Sequence, residues 1–357
     1  MTISAQFWHN KRVLVTGHTG FKGSWLCLWL QQLGAEVTGF ALTPPTNPNL
    51  FESARVAAGM RSIIGDIRDY AAIASAVETC APDIVIHMAA QPLVRYSYQH
   101  PVETYSTNVM GVVHLLEALR VSTHASATRA VINVTTDKCY ENTGSQIGFR
   151  EDAALGGYDP YSNSKACSEL VSSAYRQSYF SDSTLALATA RAGNVIGGGD
   201  WAQDRLIPDM LTAFEKNSPV TVRNQFATRP WQHVLEPISG YLMLAERLYN
   251  EGQAFAQAWN FGPDSNDVQP VQWLVERLVA EWGAGASWIL DAQSGHPHEA
   301  SLLQLDISKA AQQLQWHPRW DLTTALQKII QWHKPWLAGA DARNLCLNQI
   351  TEFNSGI

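Results

Sequence analysis

Val15-Thr16-Gly17-His18-Thr19-Gly20-Phe21-Lys22-Gly23 is the stretch on which the fold turns. It follows Arg12-Val-Leu-Val-Thr16, a β-branched run suited to a buried strand, and opens an apolar helical stretch from Phe21 to Leu33. Glycines at a spacing of three permit a tight turn, close approach of backbone to a pyrophosphate and close packing of helix on strand. The helix N-terminus behind them offers free N–H groups to an anion. The stretch therefore predicts a dinucleotide site, spaced Gly-x-x-Gly-x-x-Gly rather than the more familiar Gly-x-Gly-x-x-Gly. His18 and Lys22 are bulky, potentially cationic members of the loop, placed either to attract phosphate or to crowd it.

Outward from this loop the first half alternates strands and helices. Strands are expected at Glu36 to Leu42, Arg61 to Ile64, Asp83 to His87, Ala130 to Thr135 and Thr184 to Ala190. Helices are expected from Asp69 to Thr79, Val102 to Leu119 and Pro160 to Tyr179, and Thr43 to Asn49, with three prolines, reads as a loop. This alternation predicts an α/β fold, a Rossmann-type, doubly wound parallel sheet covered on both faces. Beyond residue 192 the pattern changes. Val220 to Val234 reads as irregular, and helical stretches at Pro270 to Glu281, Ile307 to Leu314 and Leu322 to Trp332 are split by Pro- and Gly-containing loops. The expected division is a nucleotide-binding domain over 1–191 and a smaller substrate-binding lobe over 192–357, some of whose segments return to the first domain. Ligands of such sheets bind beyond the carboxyl ends of the strands.

Composition narrows the function. In 357 residues, 25 Lys and Arg face 32 Asp and Glu, a net charge of −7, which argues against a dedicated nucleic-acid binder but not against an anionic substrate. Hydrophobic residues at 46% exclude a disordered chain. The five cysteines are odd in number and lack a CxxC pair, so a reduced cytoplasmic protein is expected, with no disulfide scaffold and no metal site. Met1 to Asn10 does not read as a signal peptide, and no apolar run approaches the ~20 residues of a membrane span. The thirteen tryptophans read as core and interface packing.

Three further constellations lie at expected strand ends. Gly65-Asp66-Ile67 places a carboxylate where an adenine amino group would reach it, and Met88-Ala89-Ala90-Gln91 places small residues along a cofactor. The second strand runs into Ala41-Leu42-Thr43, with neither the acid that would hold a ribose 2′-hydroxyl nor an arginine for a 2′-phosphate, which leaves NAD and NADP both open. In Tyr161-Ser-Asn-Ser-Lys165 a spacing of four stacks phenol and ammonium on one helix face. An ammonium near a phenol favours phenolate, which removes a hydroxyl proton while hydride leaves the same carbon. Thr135-Thr136-Asp137-Lys138 adds a hydroxyl, an acid and a base at the fifth strand's end.

Together these residues resemble the extended short-chain dehydrogenase/reductase superfamily, and within it the nucleotide-sugar 4,6-dehydratases of the CDP-sugar branch. The resemblance covers nearly the whole chain. It runs through Gly17 to Trp25, Ala41-Leu-Thr-Pro-Pro45, His87 to Pro92 and Thr135 to Lys138. It continues through Arg191-Ala-Gly-Asn194 to Trp201, Arg229-Pro-Trp-Gln-His-Val234, His296-Pro-His-Glu-Ala300 and Trp316 to Trp320. Relatives acting on dTDP-glucose carry Thr-Asp-Glu where this chain has Thr136-Asp137-Lys138. The resemblance implies NAD as cofactor, bound by Gly17, His18, Thr19, Gly20, Phe21, Lys22, Gly23, Asp66, Ile67, Ala89, Ala90, Tyr161 and Lys165. It implies CDP-glucose as substrate, with Gln91, Asn194, Arg229, His298 and Glu299 as contacts.

The implied reaction is intramolecular hydride transfer through NAD with loss of water, giving a 4-keto-6-deoxy sugar for dideoxysugar and O-antigen synthesis. Tyr161 acts at C4, supported by Thr136 and Lys165. Asp137 protonates the C6 hydroxyl, and Lys138 takes the C5 proton, for which it must be neutral. The resemblance also implies a homodimer, or a dimer of dimers, through the helices beginning near Val102 and Pro160. A 4-epimerase would need only the Tyr161/Lys165 pair, a plain dehydrogenase would release NADH, and a non-catalytic NAD-binding regulator would need none of these residues.

Overall fold

The computed structural model describes residues 3–144, 147–291 and 303–355. In chain order the strands are β1 (Arg12–Thr16), β2 (Glu36–Ala41), β3 (Arg61–Ile64), β4 (Ile84–His87), β5 (Ala130–Val134), β6 (Ala186–Ala192), β7 (Asn194–Ile196), β8 (Val220–Val222), β9 (Thr228–His233), β10 (Ala258–Phe261), β11 (Val268–Pro270) and β12 (Trp288–Leu290). Seven of them form one sheet in the order β10-β6-β5-β4-β1-β2-β3, parallel throughout. Strand order reverses between β1 and β4, whose ends are level because Thr16 pairs with His87. A crevice at the carboxyl ends of two such strands is where ligands of open α/β sheets bind.

Alternation along the strands feeds two cores. Val13, Val15, Ile84, Ile86 and Ile132 point into one, while Leu14, Val85 and Val131 point into the other. The helix Phe21–Gln32 is apolar on nearly every side and correspondingly buried from Gly23 to Leu30. It lies between the sheet and the helix Ala342–Ser355, with Trp29 edge-on to Phe353. Trp8, Trp25, Trp29, Trp259, Trp316 and Trp332 are fully buried.

The six expected strands of the first half are present. The seventh, β10, comes from the second half and pairs with β6, and the helix Leu235–Glu251 packs into the same core as β1 and β5. The stretch read as irregular holds β8 and β9. Its order comes from distant partners: β9 pairs with β7 and β11, and β8 with β12. The helix Leu206–Glu215, unexpected from the sequence, joins the helices Val271–Trp282 and Leu322–Leu337 around a separate core that contains Met210, Phe214, Leu274 and Ile329. The long helix near Val102 is interrupted: a five-residue π turn at Ser106–Met110 separates Pro101–Tyr105 from Gly111–Val121. Such turns mark functional positions more often than ordinary helix does.

Candidate active site

The glycine loop occupies the expected β1-to-helix turn. Gly17 has φ +78°, and a Cβ there would stand 2.8 Å from the backbone of Met88 and Ala89, so only glycine fits. Gly20 caps the helix Phe21–Gln32 without any side-chain bond to its first N–H groups. The loop is anchored from outside, Thr19 donating to the Leu42 carbonyl at 2.8 Å, and Phe21 packs against Gly197. A Cβ-free turn and an uncapped helix start fit a pyrophosphate.

His18 departs from the expectation of a cation at the phosphates. Its ring is fully buried against Gly39, Phe51 and Ser62, with Nε2 2.7 Å from the Ser62 hydroxyl. Burial lowers it to about 4, so it is a neutral wedge under β2. Lys22 runs to the catalytic side instead, its Nζ 3.4 Å from the Tyr241 hydroxyl. Burial first, then Arg205 and Lys165, lower it to about 7.

The catalytic constellation is assembled by two elements. Asp159 caps the helix Pro160–Ser178, accepting from the Ser162 N–H at 2.9 Å, with Pro160 in its first turn. This start sets Tyr161 at the edge of the sheet. After β5 a short 3-10 turn, Asp137–Cys139, is capped by Thr136. The Thr136 hydroxyl donates to Asp137 Oδ1 at 3.0 Å, and it also draws the pKa of the Tyr161 phenol downward. One hydroxyl thus acts on both groups expected to move protons.

Asp137 is 1% exposed, and its Oδ2 has no partner among the described residues. Burial raises its carboxyl to about 6, against the opposing pull of Lys138, Thr136 and Arg229. A carboxyl shifted this way is suited to act as an acid near neutrality. Lys138 is half-buried beside it.

Tyr161 differs from the sequence expectation. Burial raises its phenol to about 12, opposed by Thr136 and by the charge of Arg205. Lys165 donates to the Val134 carbonyl at 3.1 Å, and burial lowers its ammonium to about 8. The cation pulling the phenol toward phenolate includes Arg205, held by Asp200 at 3.1 Å, which the sequence did not single out. No local pattern marks Arg205; its reach depends on how the loop after β7 folds over the crevice.

The expected substrate and adenine contacts divide. Arg229 is buried on β9 and its charge reaches Asp137. Asn194 starts β7, opposite Trp231. Gln91 is turned inward: its amide donates to the Leu93 carbonyl and the Thr104 hydroxyl and accepts from the Leu93 N–H. Asp66 is held bidentately by Arg68, while Ile67 is buried against Gly111. Ala89 donates its N–H to Thr16, and Ala90 follows it, half-buried. His298 and Glu299 lie outside the described residues.

The sequence reading also missed Asn108. Within the π turn its side chain accepts from the Gln91 N–H and donates to the Gln91 carbonyl and the Ser164 hydroxyl. It thereby ties the loop after β4 to the catalytic helix.

A glycine cradle after β1, with a Tyr-x-x-x-Lys helix at the same edge of a parallel sheet, defines an extended short-chain dehydrogenase/reductase. The family described as GDP-mannose 4,6 dehydratase matches residues 14–329, and the chain belongs to it. The CDP-glucose 4,6-dehydratase of Salmonella typhimurium is 54% identical over 358 residues, 99% of either chain. A probable dTDP-glucose 4,6-dehydratase of Sinorhizobium fredii is 27% identical, covering 90% of this chain and 92% of its own. Among solved structures, the UDP-glucose 4-epimerase of Thermotoga maritima with UDP-glucose has a TM-score of 0.77 at 19% identity, covering 91% of this chain and 99% of the epimerase. The UDP-glucuronic acid 4-epimerase of Bacillus cereus, in complex with UDP-glucuronic acid and NAD, has a TM-score of 0.77 at 22% identity, with the same coverage. At these identities the two structures speak for the fold.

Proposed function

We propose that the chain converts CDP-glucose to CDP-4-keto-6-deoxyglucose, an NAD-dependent hydro-lyase reaction in which the cofactor is restored within each turnover. The observation that carries this reading is the buried Asp137 carboxyl, bonded to the Thr136 hydroxyl at the same edge of the sheet as Tyr161. Tyr161 takes the proton of the C4 hydroxyl. Gly17, Gly20 and Gly23 would hold NAD, which would supply hydride acceptance from C4 and its return to C6, the proton taken from C5 going back to C5 from Lys138. Oxidation at C4 acidifies the C5 proton, which Lys138 removes. Asp137, its carboxyl raised by burial, gives a proton to the departing C6 hydroxyl, so water leaves. Arg229 holds a diphosphate oxygen with its guanidinium fork, and Asn194 contacts the diphosphate or the sugar. A 4-epimerase shares the fold but has no use for a raised acid beside Tyr161.

The test is incubation with NAD and a panel of CDP-, dTDP-, UDP- and GDP-hexoses. CDP-glucose is expected to lose the mass of one water with no net reduction of NAD. Reduced NAD accumulating with product would make the chain a plain dehydrogenase, and an isomeric product without mass loss would make it an epimerase.

Residues 1–191 are proposed to carry mainly the cofactor and 192–357 mainly the substrate. The assembly is proposed as a homodimer, or a dimer of dimers, through the helical run 101–121 and the helix Pro160–Ser178. Val102 is 82% exposed there, with Met110 and Leu170 also exposed. Light scattering at the mass of a single chain would overturn that assembly. The free cysteines suit a reduced, cytoplasmic setting, and a 4-keto-6-deoxy sugar suits supply to dideoxysugar and O-antigen synthesis.

A further inference from the structure

The helix Pro160–Ser178 carries a third residue on the face of Tyr161 and Lys165. Glu169, one turn beyond Lys165, is 4% exposed and points under the site. Its carboxylate accepts from the Thr135 hydroxyl at 2.5 Å, the Thr189 hydroxyl at 2.7 Å and Arg191 Nη2 at 2.8 Å. Arg191 in turn donates from Nη1 to the Tyr140 hydroxyl at 2.7 Å and to the Glu151 carbonyl at 3.0 Å. Tyr140 donates to Asn260 Oδ1 at 2.7 Å, and Asn260 donates to the carbonyls of Phe149 and Asp306.

Each end of this network adjoins a residue of the proposed reaction. Thr135 precedes Thr136, Tyr140 follows the Asp137–Cys139 turn, and Glu169 lies a turn from Lys165. Stability does not account for such a pair. Removing two charges from water is costly, and well-packed apolar residues of similar volume commonly do as well. A pair kept in the interior, whose carboxylate is bonded to the residue after β5 and to two residues of β6 and whose guanidinium is bonded to the residue after the Asp137–Cys139 turn, is suited instead to holding those elements in register with the helix.

We propose that Glu169 and Arg191 are a positioning pair that locks the helix of Tyr161 and Lys165 against β5, β6 and the Asp137 turn and holds the charged form of Lys165 in place. The proposal rests on Lys165 serving the reaction proposed above. The groups facing the Lys165 ammonium are Glu169 on its own helix, Cys139 from the turn, Lys22 from the helix Phe21–Gln32 and His87 at the end of β4. Of these, Glu169 does most to keep Lys165 protonated against burial, and Lys22 opposes it. Glu169 itself is faced by Arg191 from β6 and Arg176 from its own helix.

The experiment compares Glu169→Gln, Glu169→Asp and the double variant Glu169→Gln/Arg191→Met, the last avoiding an unpaired buried cation if the first folds poorly. Lys165 is followed by NMR titration of isotope-labelled lysine, assigned with Lys165→Arg, and turnover of CDP-glucose is followed against pH. Loss of an adjacent opposite charge moves a pKa by about 1 unit or more. Glu169→Gln is therefore expected to lower the Lys165 midpoint by about one pH unit and to bring the alkaline limb of kcat down with it, and the double variant, which also removes the Arg191 cation, to lower it less. The substrate KM is expected to stay within about twofold, and Glu169→Asp to keep the wild-type midpoint. A folded Glu169→Gln variant with an unmoved Lys165 midpoint would overturn the proposal, as would, where that variant does not fold, a folded double variant with wild-type kcat, or a loss of kcat equal in the Gln and Asp variants. A wild-type chain that titrates as expected but leaves CDP-glucose intact would overturn the functional reading instead.

Discussion

Asp137 lies close against Gly193: a Cβ on Gly193 would stand 3.1 Å from Asp137 Oδ2, which has no partner among the described residues. The same Cβ would lie 2.6 Å from Pro230 Cγ and 2.8 Å from the Pro230 carbonyl oxygen. The glycine therefore lets β9, which carries Arg229, approach the acid. Gly193→Ala is expected to push Pro230 and Arg229 outward. Displacements of ~1 Å cost up to ~10²-fold in rate, so kcat/KM for CDP-glucose should fall roughly 10- to 100-fold. Circular dichroism should show secondary structure unchanged; wild-type kinetics would mean the approach is not needed.

Asp137→Asn keeps the shape of the acid and removes its proton. General acid catalysis contributes about 10²–10⁴-fold, so water loss should slow by that order. The acid must be protonated to act, and its carboxyl is raised to about 6. The wild-type step therefore weakens as pH rises through about 6, and this dependence should vanish in the Asn variant. Profiles of kcat/KM against pH for both proteins decide it.

Lys138→Met separates a base from a bystander. If Lys138 removes the C5 proton, solvent deuterium should enter C5 of the keto species far more slowly in the variant, together with slower elimination. Exchange at the wild-type rate with only a raised KM would move the base elsewhere.

Gly17→Ala tests the cradle. The left-handed φ and the 2.8 Å approach to Met88 and Ala89 leave no room for a methyl group. Strain of this kind costs of order 1–3 kcal/mol. The variant should melt earlier and bind NAD at least tenfold more weakly, as read by calorimetry and by quenching of tryptophan fluorescence.

Glu236 gives the stability of the chain a pH slope. It is fully buried, and burial raises its carboxyl to about 8 even though it accepts the N–H groups of Arg319 and Trp320. Unfolded, a Glu titrates near ~4.3. Between those values unfolding releases its proton, so this group's contribution to stability declines as pH rises from about 4.5 to about 8. Glu236→Gln retains an acceptor and removes the titration. Its Tm should match or trail wild type at pH 5 and exceed it at pH 8.

Local sequence was enough for the parts of the protein built from neighbours in the chain. The glycine turn, the six parallel strands of the first half and the capped helix carrying Tyr161 and Lys165 all follow from short-range spacing. Glycine placement, β-branched runs and a turn of helix are local properties. Asp137 could be named for the same reason, since it follows closely on a legible strand.

What depended on tertiary structure was the environment of each named group. His18, a possible phosphate cation in the sequence, is a neutral wedge because Gly39 opens a pocket for its ring. Gln91 is spent on Leu93 and Thr104. Tyr161 has its phenol raised rather than lowered, since burial outweighs the pull of Thr136 and Arg205. Arg205 and Asn108 enter the site, β9 is ordered by β7 and β11, and β10 closes the sheet, all through contacts between residues far apart in sequence. A residue's type and its neighbours in the chain set which chemistry is available; desolvation and hydrogen-bond partners, which exist only after the distant segments have packed, decide which charge state and which direction that residue takes.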